Sequence, residues 1–260
     1  MTWTKTKTVA MGIILLAVIA IVVITKGLSP QIKDSYFTLN YLHFQTVPAN
    51  LVAVRPTHFT NSPGSIFTTT TPNIGQDVPR MLGRDVPLEQ VMATAYSCGT
   101  FQIVLPPDSP HGNFDYLVTV AEKPREHLQA AIHKKLGYVA HWEDRDTDVL
   151  LLETTTPHPA GLVVSTASTA TRGNVSFRDE KYWFTHMPVR SLLGFLQHGL
   201  NQPVLDRTDL TNFYDFSITA SWRGGNGRDE AEMKEMLATL GLKLEPSHAP
   251  FPKLVVEKVN

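Results

Sequence analysis

Cysteine is almost missing from this 260-residue chain. Cys98 stands alone, which excludes an internal disulfide, a C-x-x-C redox or zinc pair and a C-x-x-C-H haem site. It lies too far from the N-terminus to serve as a lipidation cysteine, and its plain reading is a small buried hydrophobe. Net charge is scarce too: 23 Lys and Arg stand against 24 Asp and Glu, a formal −1. Basic residues occur as scattered pairs such as Lys134-Lys135, with no Lys/Arg-rich face. Nucleic acid is therefore not expected as a partner, because neutralising phosphates takes a basic stripe.

Catalytic and metal signatures are missing as well. No G-x-S-x-G, H-E-x-x-H or H-x-H occurs, and nothing marks a Ser/His/Asp set. The nearest two of the ten histidines, His127 and His133, are six apart and misaligned on a helix. "EDRDTD" gives Asp144, Asp146 and Asp148 the spacing that opens a calcium loop. The sixth and twelfth positions, however, are Val149 and Thr155 rather than Gly and Glu. Its setting between "YVAHW" and "VLLLE" suits a solvated hairpin tip. "RGGNGR", Arg223 to Arg228, lacks phosphate-loop spacing and reads as a flexible loop. No catalytic, cofactor-binding or metal-ligating residue is assigned, and no cofactor is expected.

What the chain does have is one long apolar run, Val9 to Thr25, between Lys5 and Lys7 on one side and Lys26 on the other. At about 1.5 Å per residue it spans roughly 26 Å, the short end of what crosses a bilayer core. A cleaved signal peptide is the rival reading, but no A-x-A site follows and Lys26 stands where small residues belong. A membrane anchor over residues 1–26 is expected, with the N-terminus inside. Ala10, Gly12, Ala17 and Ala20 offer small side chains where another helix could approach. In the juxtamembrane segment 27–50, Phe37, Tyr41 and Phe44 fall at i, i+4, i+7. Three fates are open to these aromatics: an interfacial belt, contacts to a partner subunit, or a strand packing on the main domain.

From Leu51 the chain reads as globular, beginning with a short strand, "LVAVRP". Two stretches then echo each other. Pro87 precedes Leu88, Val91, Met92 and Ala95 on one helical face; Pro188 precedes Val189, Leu192, Leu193 and Leu196 in the same arrangement. Phe114-Asp115-Tyr116 answers Tyr214-Asp215-Phe216. A second helix follows in each copy, ending at Leu136-Gly137 and Leu240-Gly241, where Gly suits a left-handed cap. Each copy closes on an apolar strand, "DVLLLE" and "KLVVEK". The expected fold is α+β: an N-terminal transmembrane helix, then two tandem copies of a β-α-β-β-α-β unit with mostly antiparallel sheets. The first copy covers 51–155 and the second 177–260, with a Thr/Pro/Ala/Ser-rich connector at 156–176 read as loop. The repeated Asp115 and Asp215 fall on the outward strand face, as turn caps or partners of an Arg such as Arg207.

"QPVLDRTDLTNFYDFSITASW" and "LGLKLEPSHAPFPKLVVEKV" resemble the closing pattern of a family of soil-associated bacterial secreted proteins of uncharacterised function. The likeness covers roughly 51–260, with Asp209 and Asn212 where that pattern has glycines. It implies a chain exported across the bacterial inner membrane and no established catalytic residues.

Three classes of function follow. The first is a non-enzymatic, single-pass accessory subunit of a membrane protein complex, respiratory, photosynthetic or otherwise energy-transducing. Its globular part would be periplasmic, and its partners would be integral membrane subunits and the bilayer. The second is a periplasmic ligand-binding or sensing module. The third is a hydrolase whose residues meet only in the fold.

Overall fold

The computed structural model describes residues 32–59, 64–69, 80–167, 173–219 and 230–259. The apolar run Val9–Thr25, with Ala10, Gly12, Ala17 and Ala20, and the RGGNGR segment lie outside the described residues. Among the described residues no helix is long and apolar enough to cross a membrane.

The fold is α+β, with three four-stranded sheets that are mostly antiparallel. A 3-10 turn, Asp34–Phe37, and a short helix α1, Tyr41–Thr46, come first. The first copy then runs β1 (Val52–Pro56), β2 (Ser65–Thr69), β3 (Arg80–Pro87), α2 (Leu88–Tyr96), β4 (Ile103–Val104), β5 (Asn113–Val118), α3 (Pro124–Leu136) and β6 (Tyr138–Thr154). The second runs β7 (Val163–Val164), β8 (Asn174–Arg178), β9 (Lys181–Pro188), α4 (Ser191–Leu200), β10 (Val204–Asp206), β11 (Phe213–Thr219), α5 (Glu230–Thr239) and β12 (Leu242–Lys258). Each copy thus carries two strands ahead of the expected unit. The supposed loop connector holds β7 and the start of β8; a two-residue strand is too short to show alternation.

Several local expectations hold. Leu88, Val91, Met92 and Ala95 of α2 are buried, as are Leu192 and Leu196 of α4. Tyr214, Phe216 and Ile218 of β11 face a core shared with Met233, Leu237 and Leu240. Gly137 and Gly241 both sit at φ +74, the left-handed region where a side chain would be strained.

The order of sheet A is β1-β5-β3-β2, and sheet B repeats it strand for strand as β7-β11-β9-β8. The closing strands of the two copies make the third sheet, a ribbon. Here β6 and β12 pair antiparallel over their 17 residues, from Leu242 opposite Thr154 to Lys258 opposite Tyr138. Each copy lends a short strand to the other's closing strand: β10 lies parallel to β6, with Val204 opposite Leu150, and β4 lies parallel to β12, with Ile103 opposite Leu254. This exchange explains why the compact units cut across the copies. One takes the described part of Met1–Val86 with Asn113–Leu128; the other takes Pro87–Gly112 with Gln129–Asn260. It also corrects the hairpin reading of "EDRDTD". Glu143 to Asp148 run straight through the middle of β6, opposite Lys253 to His248 of β12. Their polarity reflects exposure on a ribbon, with Arg145 pairing Glu143 at 3.2 Å, and not a chain reversal.

Candidate functional site

The repeated aspartates were the sequence's most tempting chemical feature, and Asp115 lies on the strand face that residues 34–47 cover, out of contact with solvent. Its side chain is fully buried and its two oxygens take four donors. Oδ1 accepts from the Asp85 N–H at 3.0 Å and the Thr57 hydroxyl at 2.8 Å. Oδ2 accepts from the His58 N–H at 3.1 Å and Arg55 Nε at 3.4 Å. The arginine partner is therefore Arg55, on the neighbouring strand β1. Asp206, next to Arg207, instead closes its own turn onto Thr208 N–H and hydroxyl, at 3.0 and 2.7 Å. Asp85 is a non-glycine residue at φ 55, and Asp115 holds the backbone of that irregular position in place.

The second copy repeats the device with different side chains. His186, at φ 52, occupies the place of Asp85, and its N–H donates to Asp215 Oδ1 at 2.6 Å. The strand register slips at this point, between Tyr214 and Phe216. Ser165, whose N–H bonds the Phe213 carbonyl as Thr57's bonds that of Asn113, places its hydroxyl 3.2 Å from His186 Nδ1. In the first copy Asn113 donates to Asp85 at 3.0 Å; in the second the His186 ring stacks on Phe213, 4.4 Å between centroids. Ser165, His186 and Asp215 do meet, but without triad geometry. The aspartate holds the histidine's backbone and not its ring. Nε2 is buried and has no hydrogen-bond partner among the described residues.

A cavity of about 340 Å³ opens where the C-terminal ends of α2 and α4 come together. Its wall includes Cys98, Thr100, Gln197, His198 and Asn201. Ser97 and Asn201 cap the two helices in left-handed conformation, and Thr100 donates to Asn201 Oδ1 at 2.8 Å. Cys98 is half-buried, and burial pushes its thiol up to about 11. A thiol held protonated is a poor nucleophile. The lining mixes hydrogen-bonding groups with apolar surface and holds no Asp, Glu, Lys or Arg, which suits hydrogen bonding a small molecule.

The third sequence feature, the aromatic segment, is placed on sheet A. Phe37 and Phe44 are buried with Val47, Leu51, Leu82 and Leu117, so they pack on the main domain as the third fate has it, though from a 3-10 turn and a helix and not from a strand. They arrive on the 3-10 turn and on α1, which Asn40 separates and caps by accepting from the Leu42 and His43 N–H groups. Two arginines pin the segment. Arg55 meets Asp34 at 2.6 Å and lies 4.4 Å over the Phe37 ring. Arg80 Nη1 donates to the carbonyls of Phe44 and Val47, at 3.2 and 2.6 Å, where α1 ends.

None of the partners of Asp115 was singled out from the sequence. Arg55, Thr57 and His58 lie within "VRPTH", some sixty positions before the acid they serve, and strand pairing at that separation leaves no periodic trace. Among the described residues no three His, Cys, Asp or Glu side chains gather as metal ligands.

The sequence pattern of one family, described as a protein of unknown function (DUF3738), matches residues 89–259. The chain belongs to this family. The match begins within α2 and runs almost to the end of the chain, so it takes in most of the first copy and all of the second. No curated protein matches the chain, and no solved structure does.

Proposed function

We propose that this DUF3738 protein is a non-enzymatic accessory subunit of a bacterial membrane protein complex, tethered by Val9–Thr25 with its globular part in the periplasm. One observation carries the reading. The residues with chemical promise are engaged inside the fold, while exposed apolar side chains gather on one sheet. Asp115 and Asp215 hold irregular backbone, and Cys98 is kept protonated. Of the ten large apolar side chains exposed among the described residues, five belong to sheet B: Val163, Val164, Val175, Phe177 and Phe213. Such a concentration suits a protein contact better than open water. The resemblance to secreted, soil-associated bacterial proteins is consistent with the periplasmic placement. The test is the native size and composition of the full chain, extracted from its own membranes in mild detergent. Co-migration with a large assembly of fixed stoichiometry is expected; migration alone would overturn the proposal.

A second reading, a periplasmic ligand-binding module, draws on the cavity beside Cys98 and His198. It requires that small neutral metabolites raise the melting temperature of the full chain, and that filling the cavity with Gly194→Leu abolish the rise.

A further inference from the structure

We propose that two copies of this chain pair edge to edge through β8, antiparallel about Ser176, so that their two sheets B run on as one. The inference adds a second copy to the assembly and rests on the accessory-subunit reading only for its membrane tether.

Strand β8, Asn174–Arg178, ends sheet B: the order β7-β11-β9-β8 leaves its far edge without a neighbour among the described residues. It joins β9 through a two-residue turn, Asp179 and Glu180, both at positive φ, 52 and 58, as tight hairpins require. Such a turn makes Arg178 and Lys181 a hydrogen-bonded pair, and bonded and non-bonded pairs alternate from there along the ladder. Val175 and Phe177 therefore aim their N–H and C=O groups away from β9, at the open edge. The same two residues carry exposed apolar side chains, Val175 45% and Phe177 58% exposed.

Elsewhere the chain guards its edges. Beyond β4 the free edge of the ribbon strand β12 carries Pro246, Pro250 and Pro252. Beyond β10 that of β6 carries Asp144, Asp146 and Asp148. Prolines and charges of this kind deter strand addition. β8 has no proline, lysine or acid, and its pairing with β9 runs without a bulge.

The occupant follows from the order of side chains. Asn174-Val175-Ser176-Phe177-Arg178 alternates polar and apolar in the same way from either end. Paired antiparallel about Ser176, each Val175 meets Phe177 of the other copy, and the two pairs exchange four backbone hydrogen bonds. Aromatic against β-branched is a favourable cross-strand pair. Ser176 meets its own counterpart, Arg178 meets Asn174, and no like charges are opposed.

The undescribed stretches beside sheet B are too short to take this place. Residues 168–172 lead through Gly173 straight into β8 and cannot also run alongside it. Residues 220–229 leave β11 and must return to α5, whose Met233 and Leu237 share a core with β11. Their reach is at most about 35 Å. Going three strand spacings out, five residues along and three spacings back takes about 45 Å. Two five-residue strands bury far less than the roughly 800 Å² per partner of a stable interface. Pairing is therefore expected between chains held in one membrane, where the anchors raise the effective concentration.

The experiment is a disulfide scan of the full chain in its own membranes, in a Cys98→Ala background under mild oxidation. Across the symmetry axis the two Ser176 Cα atoms lie about 4.5 Å apart, within disulfide reach. Two Val175 lie about 9 Å apart and two Asn174 farther still, beyond it. Ser176→Cys should give at least ten times more linked dimer than Val175→Cys or Asn174→Cys. Adding Val175→Lys, an exposed edge position, to Ser176→Cys should cut the dimer at least tenfold. Equal linking at all three positions would mean chance collision and overturn the inference. If Ser176→Cys gives no dimer while wild type co-migrates with a large assembly, this inference falls and the accessory-subunit reading stands. If the dimer forms as described and wild type migrates with no other polypeptide, the accessory-subunit reading falls and the pairing stands.

Discussion

Asp115 and Asp215 occupy one place in the repeat and carry different loads. Asp115 takes four donors, one of them an arginine, with no contact to water. Asp215 holds one N–H, that of His186. Asp115→Ala strands two backbone N–H groups and leaves Arg55 without its buried counter-charge, so a loss of about 3–5 kcal/mol is expected. Asp215→Ala should cost about 1–2 kcal/mol. Urea unfolding of the two variants in the same detergent decides it, and equal losses would mean that the Arg55 contact contributes nothing. Nearby, Tyr116 packs so closely on Gly83 that a Cβ there would lie 2.1 Å from its ring. The second copy has a stacked pair at the equivalent positions, Phe184 and Phe216, 4.6 Å apart. Glycine against one large ring and ring against ring are two solutions to filling the same space. Cys98 gives a kinetic prediction. With its thiol pushed up to about 11, alkylation at pH 8 should be on the order of 100-fold slower than for an unperturbed cysteine, until the chain is unfolded.

At the scale of elements, the covering segment over sheet A is held partly by charge. Arg55 donates to Asp34 and holds its carboxyl below the usual range, with His58 adding to the effect. A lowered carboxylate contributes stability that is complete above its unfolded value and is lost as pH falls through the folded one. The segment should therefore loosen in acid, from about pH 4 downward, and Asp34→Asn should flatten the fall in melting temperature over that range. Helix α4 offers a change in the other direction. Gly194 lies in its interior and an added Cβ meets nothing within 4 Å, so Gly194→Ala should stabilise by about 0.5–1 kcal/mol, read as a higher urea midpoint. These elements also show how far the sequence reads. The faces of α2 and α4, the alternation of β11 and the glycines at 137 and 241 follow from local periodicity and backbone preference, and the structure has them. Strand β7, two residues long, is defined only by its distant partner and carries no local signal.

For the whole molecule, the duplication was readable from the echo of Asp115 in Asp215, but its consequence was not. Tandem copies suggest two beads on a string, each closing its own sheet. The ribbon denies that arrangement, because β6 has its 17-residue partner in the other copy and also takes β10 from it. A chain ending at Thr155 would keep every element of the first copy and lose both neighbours of β6. That strand carries Val149, Leu150 and Leu152, buried when its partners are present, and two unpaired edges of such a strand favour aggregation. Residues 1–155 should consequently fail to give a cooperative unfolding transition in detergent, whereas the full chain gives one. Co-expression with residues 156–260 as a separate chain should restore it, since the ribbon needs the two closing strands and not the covalent link between copies. Cooperative unfolding of residues 1–155 alone would show that the first copy can close without its twin, and that the exchange of β4 and β10 is incidental to stability.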